Sequence, residues 1–461
     1  LSKSGGSIYY INLSKDKLKL GGSSFAQILN KIGNDVPTVK DASYFKKAFN
    51  TIQDLIANDE IAAGHDVGSG GLITTLLEMC FAGYNLDADL DLTGLNEPDI
   101  IKALFNENIA VVLQAQNDAT FESKMAANGV EFVKIGVPSE GHELKIIFGK
   151  DFYNFNINEL RDTWFITSYY LDKKQSKNGM ARERLINYKK QPLNFSFPMN
   201  FNGTKPQTVT NRPKAAIIRE KGSNSEREMA NAMYLAGFDV KDVHMTDLIE
   251  GRETLEDIQF IGAVGGFSNS DVLGSAKGWA GAFMYNEKAN IALKNFFARP
   301  NTMSVGICNG CQLFMELELI NPEHEVHGKM THNTSQKHES NFVSVKVQEN
   351  NSIMLSTLAG TTLGVWISHG EGKFKLPYAE EQYNIVAKYA YDAYPANPNG
   401  SDFNTAMMCD KTGRHLVTMP HIERSVFPWN WAHYPANRKD EVTPWVEAFV
   451  NARKWIEAQA K

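Results

Sequence analysis

The sequence predicts two successive α/β units joined by a helical, basic connection, and three observations predict it. Residues 1–157 mix helical and strand patterns in a two-layer α/β arrangement. Residues 158–212 break that pattern with clustered aromatics, a charged run and a Pro- and Asn-rich stretch. From 213 to 461, apolar strands alternate with helices at the spacing of βαβ units, which means a parallel sheet. At about 150 residues per domain, 461 residues suit roughly three parts.

In order along the first part, YYINL at 9–13 reads as a strand. The pair Gly21-Gly22 then precedes SSFAQILNKIG, whose apolar spacing is helical. KDASYFKKAFNTIQDLIAND is a longer amphipathic helix, with Phe45, Phe49, Ile52, Leu55 and Ile56 on one stripe. IAAGHD is a strand ending in a polar elbow, followed by Gly-Ser-Gly-Gly and the helix LITTLLEMCFAG. In the connection, residues 159–205 hold nine basic against four acidic side chains. A solvated helix and tether, its aromatics packed between domains, explains that stretch better than a nucleic-acid surface does.

From Lys214 the strand AAIIRE, the turn GSNSE and the helix REMANAMYLAG open the second α/β run. The strands FDVKDVHM, DIQFIGAVGG and TMSVGI follow, the last leading into the helix CQLFMELEL. Shorter strands come next, including FVSVKV, TLGVWIS and RHLVTMP, before TPWVEAFVNARKWIEAQ closes the chain as a helix.

Composition narrows the function classes. With 43% hydrophobic and 22% charged residues the chain is globular, which excludes disorder, collagen-like repeats and disulfide scaffolds. The balance 47 − 53 = −6 gives no field that favours nucleic acid or an anionic membrane. No apolar run approaches the ~18 residues of a membrane span, and no signal peptide opens the chain. Four cysteines are too few to staple a chain of this size, so a reducing cytoplasm is the expected compartment. A first residue of Leu with a strand close behind it points to a piece of a longer polypeptide.

The strongest chemical signal is Gly306-Ile307-Cys308-Asn309-Gly310, between a buried strand and a helix. It is the cysteine counterpart of the G-x-S-x-G elbow: flanking glycines permit a strained turn that presents Sγ above the sheet edge. The helix start behind Cys308 aims backbone N–H groups at the sulfur, which favours a thiolate and a developing oxyanion. Cys308-Asn309-Gly310-Cys311 also reads as C-x-x-C, a redox pair or half a zinc site, and a merely buried Cys is a further reading. A nucleophile needs a base and the base an orienting group, and His421-x-Glu423 after the strand RHLVTM supplies both. In an extended segment those two side chains share a face. Gly265-Gly266, after the strand IGAV, offers a second oxyanion N–H at Gly266 beside the first at Asn309; alone it also reads as an ordinary turn.

GICNGCQ, VGGFSNSDVLGSAKGWA, NTSQKHESNF, SHGEG, YPANPNGS and MPHIERS together resemble the glutaminase domain of the formylglycinamide ribonucleotide amidotransferase family in its long single-chain form. That resemblance covers nearly all of 213–461. HDVGSGGL and LGGSSFAQ in 1–157 resemble the family's second synthetase half. The implied fold is a flavodoxin-like class I glutamine amidotransferase domain, preceded by an α+β aminoimidazole-ribonucleotide-synthetase-like C-terminal subdomain. The implied division is 1–157, a helical linker at 158–212, and 213–461.

The resemblance implies that Cys308 attacks the side-chain amide of glutamine, that His421 moves the protons, and that Glu423 holds its tautomer. It further implies a glutamine pocket at Gln312, Asn333, Ser335 and His369. Asp66 maps to a Mg2+ ligand of a nucleotide site, where Gly68 and Ser69 stand in place of the family's Ser and Asp. By that resemblance Gly68 lacks a nucleotide-contacting hydroxyl, which leaves backbone contacts as the expected means of binding. As a bare pattern, His65-Asp66 before a glycine-rich turn is a helix N-terminus more often than a metal site. ATP, Mg2+ and formylglycinamide ribonucleotide are implied for the full-length enzyme, whose main ATP and substrate residues lie upstream of Leu1. A glutaminase fragment is thus expected, against a silent nucleotide-binding scaffold or another cysteine hydrolase.

Overall fold

Every residue of the strand β1 (Ile8–Asn12) except the last is buried, because helices cover both faces of the sheet it runs through. The computed structural model describes residues 1–83, 86–190 and 193–459. The chain divides into two compact units, Leu1–Ser168 and Tyr169–Lys461.

The first unit adds β2 (Ile61–Asp66), β3 (Asp87–Asp91), β4 (Ala110–Ala115), β5 (Val133–Ser139), β6 (Glu143–Phe148) and β7 (Asp151–Asn156). They form one sheet in the order β2-β4-β1-β5-β3-β6-β7, antiparallel except for the pair β3 and β6. Side chains of β1 alternate between two cores: Ile8 and Tyr10 meet Leu72, Leu76 and Leu104, while Tyr9 and Ile11 meet Ala48, Ile52 and Leu55. Helices therefore lie on both faces, where the sequence suggested two layers. The helix Ala42–Ala57 also turns differently from expectation: Tyr44, Ala48, Thr51, Ile52 and Leu55 are buried, whereas Phe49 and Ile56 are exposed. Small Ala48 and Thr51 let the helix sit close, a choice that apolarity alone does not reveal.

In the second unit nine strands share a sheet: β8 (Lys214–Arg219), β9 (Asp239–His244), β10 (Phe260–Ala263), β11 (Met303–Ile307), β13 (Glu339–Val347), β14 (Thr362–His369), β16 (Asn384–Tyr389), β17 (Thr405–Cys409) and β18 (His415–Thr418). β12 (Lys329–Thr331) and β15 (Lys373–Lys375) form a separate two-stranded ribbon. The order is β14-β13-β16-β17-β18-β11-β10-β8-β9. The run from β18 to β9 is parallel, as the βαβ spacing predicts, but β14 to β17 extend it antiparallel. The link between β17 and β18 is a short turn over 410–414, far too short for a parallel crossover. Parallel neighbours β18, β11 and β10 end together, with Ile307 opposite Thr418 and Gly306 opposite Ala263. Their carboxyl ends are where an open α/β sheet places a site.

Candidate active site

At the end of β11 the chain reverses into the helix Asn309–Glu316, and Cys308 sits on the corner with φ +55° and ψ −106°. A non-glycine residue at that φ is strained, and such strain gathers at functional positions. Both glycines of the elbow are demanded by close backbone approach. A Cβ on Gly310 would lie 2.0 Å from the Ala263 carbonyl oxygen, and one on Gly306 would lie 2.5 Å from that of Gly310. The Cys308 N–H donates to Thr418 O at 2.8 Å, which ties the corner to β18. Its thiol lies 3.5 Å from the Ser368 carbonyl oxygen at the end of β14.

His421 follows β18. Its N–H donates to Trp366 O at 2.8 Å, and the Cys308 side chain is close enough to act on its ring. Nδ1 donates to Glu423 Oε1 at 2.6 Å. The expected extended segment is instead a tight 3-10 turn over Ile422–Arg424. That turn, held by Arg424 N–H on His421 O, brings the carboxylate under the ring. His421 and Glu423 are 2% and 1% exposed, so their ion pair is shielded from water. Burial pushes the His421 pKa down, but the Glu423 charge and then Cys308 push it further up, to about 10. The ring therefore holds its second proton through the neutral range.

Gly265 and Gly266 close the third side. Asn224 N–H donates to Gly265 O at 2.8 Å and Phe267 N–H to Gly222 O at 3.0 Å. Those bonds flank the isolated bridge between Ser223 and Gly266 and leave the Gly266 N–H outside them, turned away from the partner segment. Gly266 has φ +114°, and a Cβ there would meet Asn224 N at 2.5 Å. Asn309, first in its helix, contributes one of the N–H groups that a helix start leaves unpaired.

The other singled-out residues fall into different roles. Gln312 accepts from Asn309 Nδ2 at 2.9 Å and donates to Glu371 O at 2.8 Å. Asn333 is wholly buried: its Nδ2 donates to Lys337 O and His369 O, and its Oδ1 accepts from Gly372 N–H. It thus staples the NTSQKH and HGEG loops together. Ser335 and His369 are buried at 0% and 2% exposure, and neither the Ser335 hydroxyl nor either His369 nitrogen has a partner among the described residues. Burial, then the nearby His421 and His338, push the His369 pKa down to about 3, so it is neutral. Cys311 is a free thiol packed in the core, its pKa raised by burial and by Cys308.

Far from these in sequence, Asp66 ends β2 with a side chain 83% exposed, 3.5 Å from His65 Nδ1. Gly68 follows in the loop before the helix Gly71–Phe81, where Glu107 Oε1 accepts the N–H groups of both Gly70 and Ser24. Among the described residues no group of three His, Cys, Asp or Glu side chains is arranged to hold a metal ion. No helix among them is long and apolar enough to cross a membrane.

Sequence reasoning passed over Ser368, whose carbonyl faces the thiol, Glu371, whose carbonyl accepts from Gln312, and Asp271, which shares Ser275 with Glu371. The SHGEG and FSNSD segments contained all three, but nothing local marks which of their atoms turn inward.

The family model of the CobB/CobQ-like glutamine amidotransferase domain matches residues 212–456. That of the AIR synthase related protein C-terminal domain matches residues 3–149. A probable phosphoribosylformylglycinamidine synthase of Arabidopsis thaliana is 38% identical over 98% of this chain and 34% of its own length. The phosphoribosylformylglycinamidine synthase of Homo sapiens is 36% identical over 98% of this chain and 36% of its own. Among solved structures, PurLQS from Thermotoga maritima matches 54% of this chain and 100% of its own, at 24% identity and a TM-score of 0.42. The chain spans about a third of the length of the curated relatives it matches.

Proposed function

The chain belongs to the CobB/CobQ-like glutamine amidotransferase domain family, and from that premise we propose that it hydrolyses glutamine to glutamate and ammonia at Cys308. The carrying observation is the buried relay Cys308–His421–Glu423 at the carboxyl ends of neighbouring strands. Cys308 Sγ, its proton passed to His421, attacks the amide carbon, and the N–H groups of Gly266 and Asn309 receive the oxyanion. The proton on His421 passes to the amide nitrogen, the C–N bond breaks, and ammonia leaves a γ-glutamyl thioester. His421 then takes a proton from water, which attacks the thioester and releases glutamate with the thiol restored. Glu423 holds the ring's tautomer throughout and stabilises its charge.

In the longer relatives' setting, the ammonia serves ATP-dependent conversion of formylglycinamide ribonucleotide to its amidine. That reading rests on the relatives' names and on the match of 3–149 to the AIR synthase related family. Asp66, a single exposed carboxylate, does not by itself make a Mg2+ site. The same proposal keeps a synthetase-like part at 1–157, a linker at 158–212 and the glutaminase at 213–461, supported by where the two family matches stop and start. It also keeps a cytoplasmic location, in accord with four free, buried thiols, although the plant relative is named chloroplastic/mitochondrial.

The test is peptide-level mass spectrometry after exposure to the glutamine analogue 6-diazo-5-oxonorleucine, with and without excess glutamine. The expected result is labelling confined to Cys308 and blocked by glutamine. Absent or indiscriminate labelling of Cys80, Cys308, Cys311 and Cys409 sinks the proposal.

A further inference from the structure

The charged run that follows the aromatics of the connection carries side chains that the relay itself does not use. Asp172, near the end of the helix Ile157–Gln175, accepts from Arg184 Nε at 3.0 Å, from the Ser176 hydroxyl at 2.6 Å and from Lys337 Nζ. Arg184 turns its other edge to Glu339, with Nη2 donating to Oε2 at 3.0 Å. The Tyr394 hydroxyl donates to Glu339 Oε1 at 2.9 Å, and the guanidinium lies 4.9 Å from the centroid of the Tyr394 ring. Lys177 N–H and Asn178 Nδ2 donate to Ser335 O and Thr334 O, each at 2.8 Å. Residues 172–184 thus grip the chain just before β13 and again at its first residue.

Glu339 is 3% exposed, and a carboxylate shut away from water needs a cation. Arg184 supplies it among the described residues. Glu339 opens β13 and stands opposite His369, the last residue of β14. It therefore closes the ladder at the end nearest the nucleophile.

β14 is the outermost strand of its sheet, and its free edge faces the relay. Trp366 and Ser368, two residues apart, turn their carbonyls to the same side. Trp366 O holds the His421 N–H at 2.8 Å, and Ser368 O receives the Cys308 thiol at 3.5 Å. One strand edge thus spaces base and nucleophile. The last rung of a ladder is the first to fray. Here an ion pair from outside the sheet closes that rung, and His338 Nε2, hydrogen-bonded to Ser368 Oγ at 3.0 Å, ties the same end.

We propose that Arg184 is a positioning residue: through Glu339 it fixes the end of β14, and so sets the approach of Cys308 to His421. Its effect on turnover rests on the glutaminase reading above; its effect on the thiol does not.

The experiment uses the whole chain with Arg184→Gln, Arg184→Lys and Glu339→Gln. Glu457→Gln, which unpairs Arg453 in the closing helix, is the control. The measurements are iodoacetamide alkylation of the Cys308 peptide from about pH 5 to about 9, kcat and KM for glutamine, and the denaturant midpoint. In Arg184→Gln and Glu339→Gln, alkylation at about pH 6 and kcat should each fall by about tenfold or more. The alkylation profile should move to higher pH, while KM stays within about threefold. Arg184→Lys keeps a cation but not the planar fork, and should fall between parent and Arg184→Gln. Glu457→Gln should move neither turnover nor the profile. A lowered midpoint with the parent's profile and kcat in both Arg184→Gln and Glu339→Gln overturns the assignment, as does no change in any quantity. If Arg184→Gln does not fold, Arg184→Lys and Tyr394→Phe, which removes the hydroxyl on Glu339, decide. A parent chain that hydrolyses no glutamine overturns the glutaminase reading, and the alkylation profiles then decide the positioning role by themselves.

Discussion

A Cβ on Gly265 would stand 2.8 Å from His421 Cε1 and 3.3 Å from Cys308 Cβ. The glycine therefore makes room for the contact between base and nucleophile, and its own φ is not of the left-handed kind that a side chain resists. Gly265→Ala should leave the backbone in place and push the imidazole off the sulfur. Misplacement of that size costs about a hundredfold in turnover. Glutamate release should fall accordingly, while the unfolding midpoint moves by only a few degrees, ~1 kcal/mol. A variant with unchanged turnover would mean that the ring has slack the packing does not show.

Glu423 is the group that keeps His421 charged. Burial alone would lower the ring's pKa, so Glu423→Gln should bring it down from about 10. Turnover should drop by about two to four orders of magnitude, as when a triad carboxylate loses its charge. A stability signature accompanies this. A folded pKa raised above the usual 6.5 contributes stability that is complete below pH 6.5 and is lost as pH rises through about 10. Denaturant titrations between pH 6 and 10.5 should show that loss in the parent chain and a flatter profile in the variant.

Asn333 makes three hydrogen bonds across two loops, to Gly370 O, to His369 O and from Gly372 N–H, and a fourth to Lys337 O within its own loop. Asn333→Ala would strand the Gly372 N–H and two carbonyls in a buried place. A destabilisation of about 2–4 kcal/mol is expected, read as a lower denaturant midpoint. KM for glutamine should rise more than kcat falls, because the HGEG loop loosens while the Cys308–His421 contact does not depend on it.

Acid should also act on a different part of the chain. Burial pushes the Asp118 pKa up, but the Ser7 hydroxyl and amide, then Lys134, pull it down to about 2. A depressed folded pKa contributes stability above the usual 3.8 that disappears as pH falls toward 2. Hydrogen exchange should show β1 and the segment around Ser7 opening over that interval, and Asp118→Asn should remove the pH dependence at a cost visible already at pH 7.

Chemistry carried by neighbouring residues is legible in the sequence alone. The elbow at Cys308 needs a glycine two places before and two after, and His421 with Glu423 needs only one intervening residue, so both are written in consecutive letters. The order of strands and helices is legible too, because burial imposes a period on the sequence. The face of the helix Ala42–Ala57 is not, since Phe49 and Ile56 are as apolar as the residues actually buried. Nor is the antiparallel half of the second sheet, whose strands pair across stretches of the chain without regular spacing.

What the sequence by itself determined is therefore the reacting group, its base and the run of parallel strands that carries them, since each is a local pattern with a local cause. Tertiary structure alone decided that Ser368 turns its carbonyl to the thiol, that Asn333 staples two loops, and that Asp271 and Glu371 share Ser275. Apart from the step of four residues between Asp271 and Ser275, those contacts join residues tens to about a hundred positions apart. They exist only because sheet order brings their loops to one edge, and no short stretch of sequence records that order.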